Sequence, residues 1–124
     1  VIRPAPVIAV VDDEETVRRA LGRLLEACGF SVETFDSGET FLRSLADHEP
    51  DCLILDLHMP RMDGFAVAGQ LARRSTRVPV VVITGHDTAE SQQRVKSAGI
   101  ATYLRKPVDE NVLIGAVRDA LGQK

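Results

Sequence analysis

This sequence predicts an α/β fold, a doubly wound sheet of five parallel strands accompanied by five helices, and three observations lead to it. Apolar runs alternate with helical patterns five times along the chain. Three of those runs are apolar at every residue, as strands buried on both faces of a parallel sheet must be. Each of the three then stops at a polar side chain capable of chemistry: Asp12, Asp56 and Thr84.

Taken in order, residues 1–6 (Val1-Ile2-Arg3-Pro4-Ala5-Pro6) form a proline-bearing lead or linker, and one domain follows over residues 7–122. The run Val7-Ile8-Ala9-Val10-Val11 is strand one, ending at Asp12-Asp13. Apolar residues at Val17, Ala20, Leu21, Leu24, Leu25 and Cys28 share one helical face, with Gly29 placed to end the helix. Asp12 and Glu15 have the spacing of a capping box for its start. Residues 31–35 mix polar and apolar side chains, as an exposed edge strand does. Ser37-Gly38 opens a second helix through Phe41, Leu42 and Leu45, which closes before Pro50. The third strand, Cys52-Leu53-Ile54-Leu55, runs into Asp56 and breaks at Pro60.

After Asp63-Gly64 a third helix is marked by Phe65, Ala68, Leu71 and Ala72. Pro79-Val80-Val81-Val82-Ile83 is strand four, ending at Thr84-Gly85. Residues 88–98 read as helix from capping signals at Asp87 and Glu90, but Val95 is the one large apolar anchor, so this helix should be weakly held. Thr102-Tyr103-Leu104-Arg105 is a mixed strand ending at Lys106-Pro107, and the last helix is expected to bury Val112, Leu113, Ala116, Val117, Ala120 and Leu121. Strands one, three and four should be central and strands two and five should be edges. The order 2-1-3-4-5 satisfies this, as other orders do, and it puts a topological switch point between strands one and three.

Composition narrows the function. The chain of 124 residues is one ordinary domain, and 44% hydrophobic with 4% aromatic residues means a core of Val, Leu, Ile and Ala. A net charge of -3 argues against this chain gripping nucleic acid directly, because such domains carry a basic face. No apolar run approaches the ~18 residues of a membrane span, and no secretory signal precedes the domain, so a cytoplasmic location is expected. Cys28 and Cys52 read as small hydrophobes in a reducing compartment. The start without Met and the stop just after a helix look like a domain taken from a longer protein or a trimmed chain; either an effector domain is missing from this chain or the domain acts alone.

The strand ends carry the chemistry. Parallel strands bring Asp12-Asp13, Asp56, Thr84 and Lys106 to one edge of the sheet, where ligands bind in open α/β folds. Singly these residues have dull explanations, as a helix cap, a strand residue or a surface charge. Together they make three carboxylates, a hydroxyl and an ammonium. Three acids in close quarters repel one another unless positive charge is supplied. Lys106 offsets one of them, and a divalent cation with hard oxygen ligands, Mg2+, suits the rest. A carboxylate beside Mg2+ and lysine is equipped to accept a phosphoryl group, and Asp56, at the end of a central strand between the acid pair and Thr84, is the nucleophile expected.

These residues carry a resemblance. Val11-Asp12-Asp13, Leu55-Asp56 followed by Met59-Pro60-Arg61-Met62-Asp63-Gly64, Thr84-Gly85, and Tyr103-Leu104-Arg105-Lys106-Pro107 together resemble the receiver domains of bacterial two-component response regulators, a CheY-like superfamily of flavodoxin-like fold. The Thr84-Gly85-His86-Asp87 run is similar to FixJ-type receivers. The resemblance implies that Asp56 is the phosphoacceptor for a sensor histidine kinase, and that Asp12, Asp13, Asp56 and the backbone carbonyl of His58 hold Mg2+. It further implies that Thr84 hydrogen-bonds the phosphoryl group, that Lys106 pairs with it, that Tyr103 changes rotamer on activation, and that the peptide before Pro107 is cis. The His58 side chain, two residues beyond the acceptor, either positions a hydrolytic water or lies at the mouth. The face of the fourth helix, fifth strand and fifth helix is the expected partner surface, serving a phosphorylation-dependent homodimer. Two other readings remain. A Mg2+-dependent small-molecule phosphatase fits the cluster, but His58 stands where a second acid would be wanted. A flavin or nucleotide binder lacks a glycine-rich loop after strand one.

Overall fold

The computed structural model describes residues 4–100 and 102–122. The first half of the predicted lead, residues 1–3, lies outside the described residues, and residues 4–6 carry no regular structure. Five strands, β1 (Val7–Val11), β2 (Ser31–Phe35), β3 (Cys52–Asp56), β4 (Val80–Thr84) and β5 (Thr102–Arg105), form one parallel sheet in the order β2-β1-β3-β4-β5. The helices α1 (Glu15–Ala27), α2 (Gly38–Ser44), α3 (Gly64–Arg73) and α4 (Ala89–Ser97) make the crossovers, and α5 (Glu110–Ala120) follows the last strand. The fold class and the strand order are as expected. The three apolar strands are central, and the two mixed strands are edges with no fully buried residue.

The period of two along each strand divides the core. Ile8, Val10, Cys52, Ile54, Val81 and Ile83 point to one face and pack with Leu21 and Leu25 of α1 and with Leu113, Ile114 and Val117 of α5. Their neighbours Ala9, Val11, Leu53 and Leu55 point to the other face, toward Phe41 and Leu42 of α2 and Val67 and Leu71 of α3. Burying each such side chain contributes roughly 1.5–3 kcal/mol, so α1, α3 and α5, with two or three anchors each, are firmly seated. The fourth helix differs. Val95 is its only buried large apolar side chain, in a small cluster with Leu57 and Val82, against which Phe65, Ile100 and Tyr103 pack.

Several local expectations are corrected. The capping box of Asp12 and Glu15 does not form: Glu14 is the N-cap of α1 and gives no side-chain cap. Asp12 turns away from the helix, accepting from the Glu14 N–H at 2.9 Å and facing Lys106 at 2.8 Å, because its fully buried carboxylate gains more beside an ammonium. The cap of α4 is Thr88, whose hydroxyl accepts from the Ser91 N–H at 3.0 Å, and not Asp87. Asp87 is already engaged by Tyr103 and Gln92. Val112 is 52% exposed, and Ile114 is buried instead. At 100° per residue Leu113, Ile114 and Val117 form one stripe, from which Val112 points away. On α3, Ala72 is exposed, and Val67 supplies the anchor that the sequence pattern overlooked.

The remaining helix ends are capped as well, at Gly29, Ser37 and Asp63 where the sequence placed a stop or a start, and at Asp109, for which it gave no signal. Gly29, at φ 91°, ends α1 in the left-handed conformation that glycine adopts without penalty, as the Phe30 N–H reaches back to the Leu25 carbonyl at 3.1 Å. Ser37, Asp63 and Asp109 cap α2, α3 and α5 through their side chains.

Candidate functional site

Register fixes the site. Val11 of β1 lies beside Leu55 of β3, Asp56 beside Ile83 of β4, and Thr84 beside Arg105 of β5. The next residues, Asp12 and Lys106, therefore leave the sheet at the same edge as Asp56 and Thr84. The backbone locks this edge: the Leu57 N–H donates to the Ile83 carbonyl at 3.2 Å and the Lys106 N–H to the Thr84 carbonyl at 2.8 Å. The peptide between Lys106 and Pro107 is cis, as the resemblance implied.

The polar residues expected at four strand ends do converge. Asp12, Asp13 and Asp56 each offer a carboxylate oxygen, and these oxygens lie within 4.8 Å of one another. Asp12 and Asp56 are buried, at 0% and 2% exposure, whereas Asp13 is exposed to solvent. Lys106 Nζ lies 2.8 Å from Asp12 Oδ2, 3.4 Å from Glu14 Oε1 and 3.5 Å from Asp56 Oδ1. Its closest partner is thus Asp12, with Asp56 more distant. Thr84 is fully buried, and its hydroxyl accepts from the His86 N–H at 3.0 Å. Tyr103 is half-buried against the Val95 cluster, and its hydroxyl donates to Asp87 Oδ1 at 2.9 Å.

Electrostatics follow from the burial. The Asp56 carboxyl is pushed up to about 7, first by desolvation and then by the Asp12 charge, with Lys106 opposing both. For Lys106, burial alone would lower the ammonium's affinity for its proton, but Asp12 and Asp56 reverse this and raise it. Asp12 Oδ2 is buried, and the Lys106 ammonium at 2.8 Å is the charge that offsets it. Three acids facing one lysine leave an excess of negative charge. The donor set, three hard carboxylate oxygens of which one opens to solvent, fits a small divalent cation that keeps part of its water.

Around this centre lie residues that sequence reasoning treated differently or missed. The rings of His58 and His86, both exposed, meet edge to face at 4.7 Å between centroids over the β3–α3 and β4–α4 loops. Arg61, in the β3–α3 loop, has a positive φ of 66°. Glu14 joins Lys106 across 92 positions of sequence, a partnership that no local pattern reveals. Asp87 gathers Tyr103, Gln92 and Arg105 around one carboxylate.

Comparison with known proteins agrees with this geometry. The family model of the response regulator receiver domain matches residues 8–118. The response regulator protein TodT of Pseudomonas putida is 38% identical over 117 residues, which cover 94% of this chain and 52% of TodT. This chain therefore spans about half the length of that relative. Among solved structures, a response regulator receiver protein from Burkholderia phymatum is 40% identical with a TM-score of 0.86, covering 96% of this chain and 97% of that one. The structure titled FixJ-N is 32% identical with a TM-score of 0.88, covering 99% and 98%. With sheet order, strand-end chemistry and sequence all in agreement, this chain belongs to the receiver domains of two-component response regulators.

Proposed function

We propose that this receiver domain, over residues 7–122, takes a phosphoryl group from a sensor histidine kinase onto Asp56 and passes the signal through the face of α4, β5 and α5. The observation that carries the reading is the placement of Asp56: a buried carboxylate ending the central strand, 3.5 Å from Lys106, with oxygens of Asp12 and Asp13 within 4.8 Å. An oxygen of Asp56 attacks the phosphorus, the phosphorus–nitrogen bond to the kinase histidine breaks, and the imidazole nitrogen leaves with the electron pair. Asp12, Asp13, Asp56 and the backbone carbonyl of His58 would hold Mg2+, which supplies positive charge against the acids and the phosphoryl oxygens. Lys106 adds a fixed positive charge that can turn from Asp12 to the incoming phosphoryl oxygens. Burial of Asp56 keeps competing water away and makes the site selective for a delivered phosphoryl group.

The new group brings roughly two negative charges and three acceptor oxygens. Thr84, its hydroxyl now turned to the His86 N–H, reaches a phosphoryl oxygen by moving the end of β4. Helix α4 follows, because Val95 is its single buried large apolar side chain. Tyr103 is then the second switch residue, and its face the surface for a phosphorylation-dependent homodimer. The output lies in the rest of a longer cytoplasmic protein, as the greater length of TodT suggests. Small-molecule phosphatase activity has no support among the relatives, which are response regulators.

Acetyl phosphate with Mg2+ tests the reading: intact mass should rise by one phosphate, and chelation should prevent it. Asp13→Ala, at the solvent-facing acid, should raise the Mg2+ concentration needed for half-saturation on the order of tenfold or more. An unchanged Mg2+ titration in that variant would remove Asp13 from the metal site.

A further inference from the structure

We propose that Asp87 is a positioning residue for the switch: its carboxylate tethers the Tyr103 hydroxyl and so holds this domain in its unphosphorylated arrangement. The inference rests on the reading of Tyr103 as a switch residue and adds the group that restrains it. Asp87 Oδ1 accepts from Tyr103 at 2.9 Å and from Gln92 Nε2 at 2.7 Å, while Oδ2 faces Arg105 Nη1 at 3.4 Å. One side chain thus joins the β4–α4 loop, the helix α4 through Gln92, and the strand β5 through Tyr103 and Arg105. These are the segments that phosphorylation is proposed to rearrange, and Asp87 stands three residues after Thr84.

The tether matters because the apolar attachment of this corner is small: Val95 packs with Leu57 and Val82, and Arg94 lies over the Phe65 ring. Helix α4 has one buried large apolar side chain, so polar contacts make up a larger share of its attachment than in α1 or α5. Hydrogen bonds to an ionised acceptor are stronger than neutral ones. The Asp87 carboxyl is held below the usual range by its bonds from Gln92 and Tyr103, so it stays ionised and available as an acceptor near neutrality. Tyr103 holds its proton up to about 12, through burial and the Asp87 bond, so it remains a donor. Movement of the Thr84 end of β4 displaces Asp87 as well, and the two events are linked through three residues of backbone.

The chain offers a clean probe, since Tyr103 is its only tyrosine and it has no tryptophan. A phenol hydrogen-bonded to a carboxylate emits weakly, so intrinsic fluorescence reports the tether directly. In phosphate-free protein Asp87→Ala should brighten Tyr103, and Asp87→Asn, which keeps an acceptor oxygen, should do so less. Asp87→Ala should also tighten binding of beryllofluoride with Mg2+, read by fluorine NMR, by roughly three- to tenfold, because the restraining state is disfavoured. In a Tyr103→Phe background the same substitution should add nothing. Brightening without tighter beryllofluoride binding, or equal tightening in the Tyr103→Phe background, would overturn the proposal. If beryllofluoride leaves wild-type emission unchanged, the switch reading of Tyr103 fails and takes the proposal with it. A changed wild-type emission with no effect of Asp87→Ala overturns the proposal alone.

Discussion

Asp56→Asn will take up no phosphoryl group from acetyl phosphate, and in metal-free buffer it will be more stable than the parent at pH 8 but equal to it near pH 4. The first half follows from the lost nucleophile. The second follows from burial. Asp56 is 2% exposed, and desolvation together with Asp12 raises its carboxyl to about 7 against Lys106. In the unfolded chain the same carboxyl ionises near ~3.9. Below about pH 4 it is protonated in both states and adds no penalty. Between there and about pH 7 the folded state binds more protons than the unfolded state, so stability falls as pH rises. Above that window the full cost of a buried charge remains, roughly 2–4 kcal/mol. Asparagine has the shape without the charge and escapes this cost. Urea denaturation at the two pH values in the presence of a chelator measures the gap, and Mg2+ should narrow it by stabilising the ionised parent. A gap of equal size at pH 4 and pH 8 would mean that Asp56 is not held protonated by its surroundings.

Gly64→Ala should cost about 2–3 kcal/mol and slow phosphorylation together. A Cβ at this position would meet the Asp56 carbonyl oxygen at 2.6 Å and Leu57 Cα at 2.8 Å, and both belong to the backbone, which cannot rotate aside. The Gly64 N–H also donates to the Leu57 carbonyl at 3.0 Å, so the start of α3 is pressed directly against the strand that carries Asp56. Any relief has to move the β3–α3 loop and with it the acceptor. Gly69→Ala in the same helix is the control, since a Cβ there meets nothing within 4 Å. It should stabilise by roughly 0.5–1 kcal/mol through helix propensity. Equal urea midpoints for the two variants would contradict the close approach at Gly64.

The backbone plan was legible because burial on both faces of a parallel sheet leaves runs such as Val7–Val11 and Cys52–Asp56 with no polar interruption before their ends. The candidate site was legible for the same reason, since strand ends in a parallel sheet share an edge whatever the loops do. What the sequence concealed depends on side-chain choice between competing partners. Asp12 had the spacing of a helix cap and turned to Lys106. Asp87 had the look of a cap and became the centre of a cross-element network, leaving the cap to Thr88. Val112 was apolar and stayed exposed, because helix phase and not hydrophobicity decides which residues of α5 face the sheet. Glu14 meets Lys106 only once β1 and β5 are placed in three dimensions.

The most direct test of the central claim, that a phosphoryl group on Asp56 rearranges the Thr84 and Tyr103 corner, is an amide chemical-shift map before and after adding beryllofluoride with Mg2+. Beyond the residues lining the site, the changes should concentrate between residues 84 and 105, in the β4–α4 loop, α4 and β5, while α1 stays largely as it was. Changes confined to α1, around residues 17–28, with residues 84–105 unmoved, would contradict it.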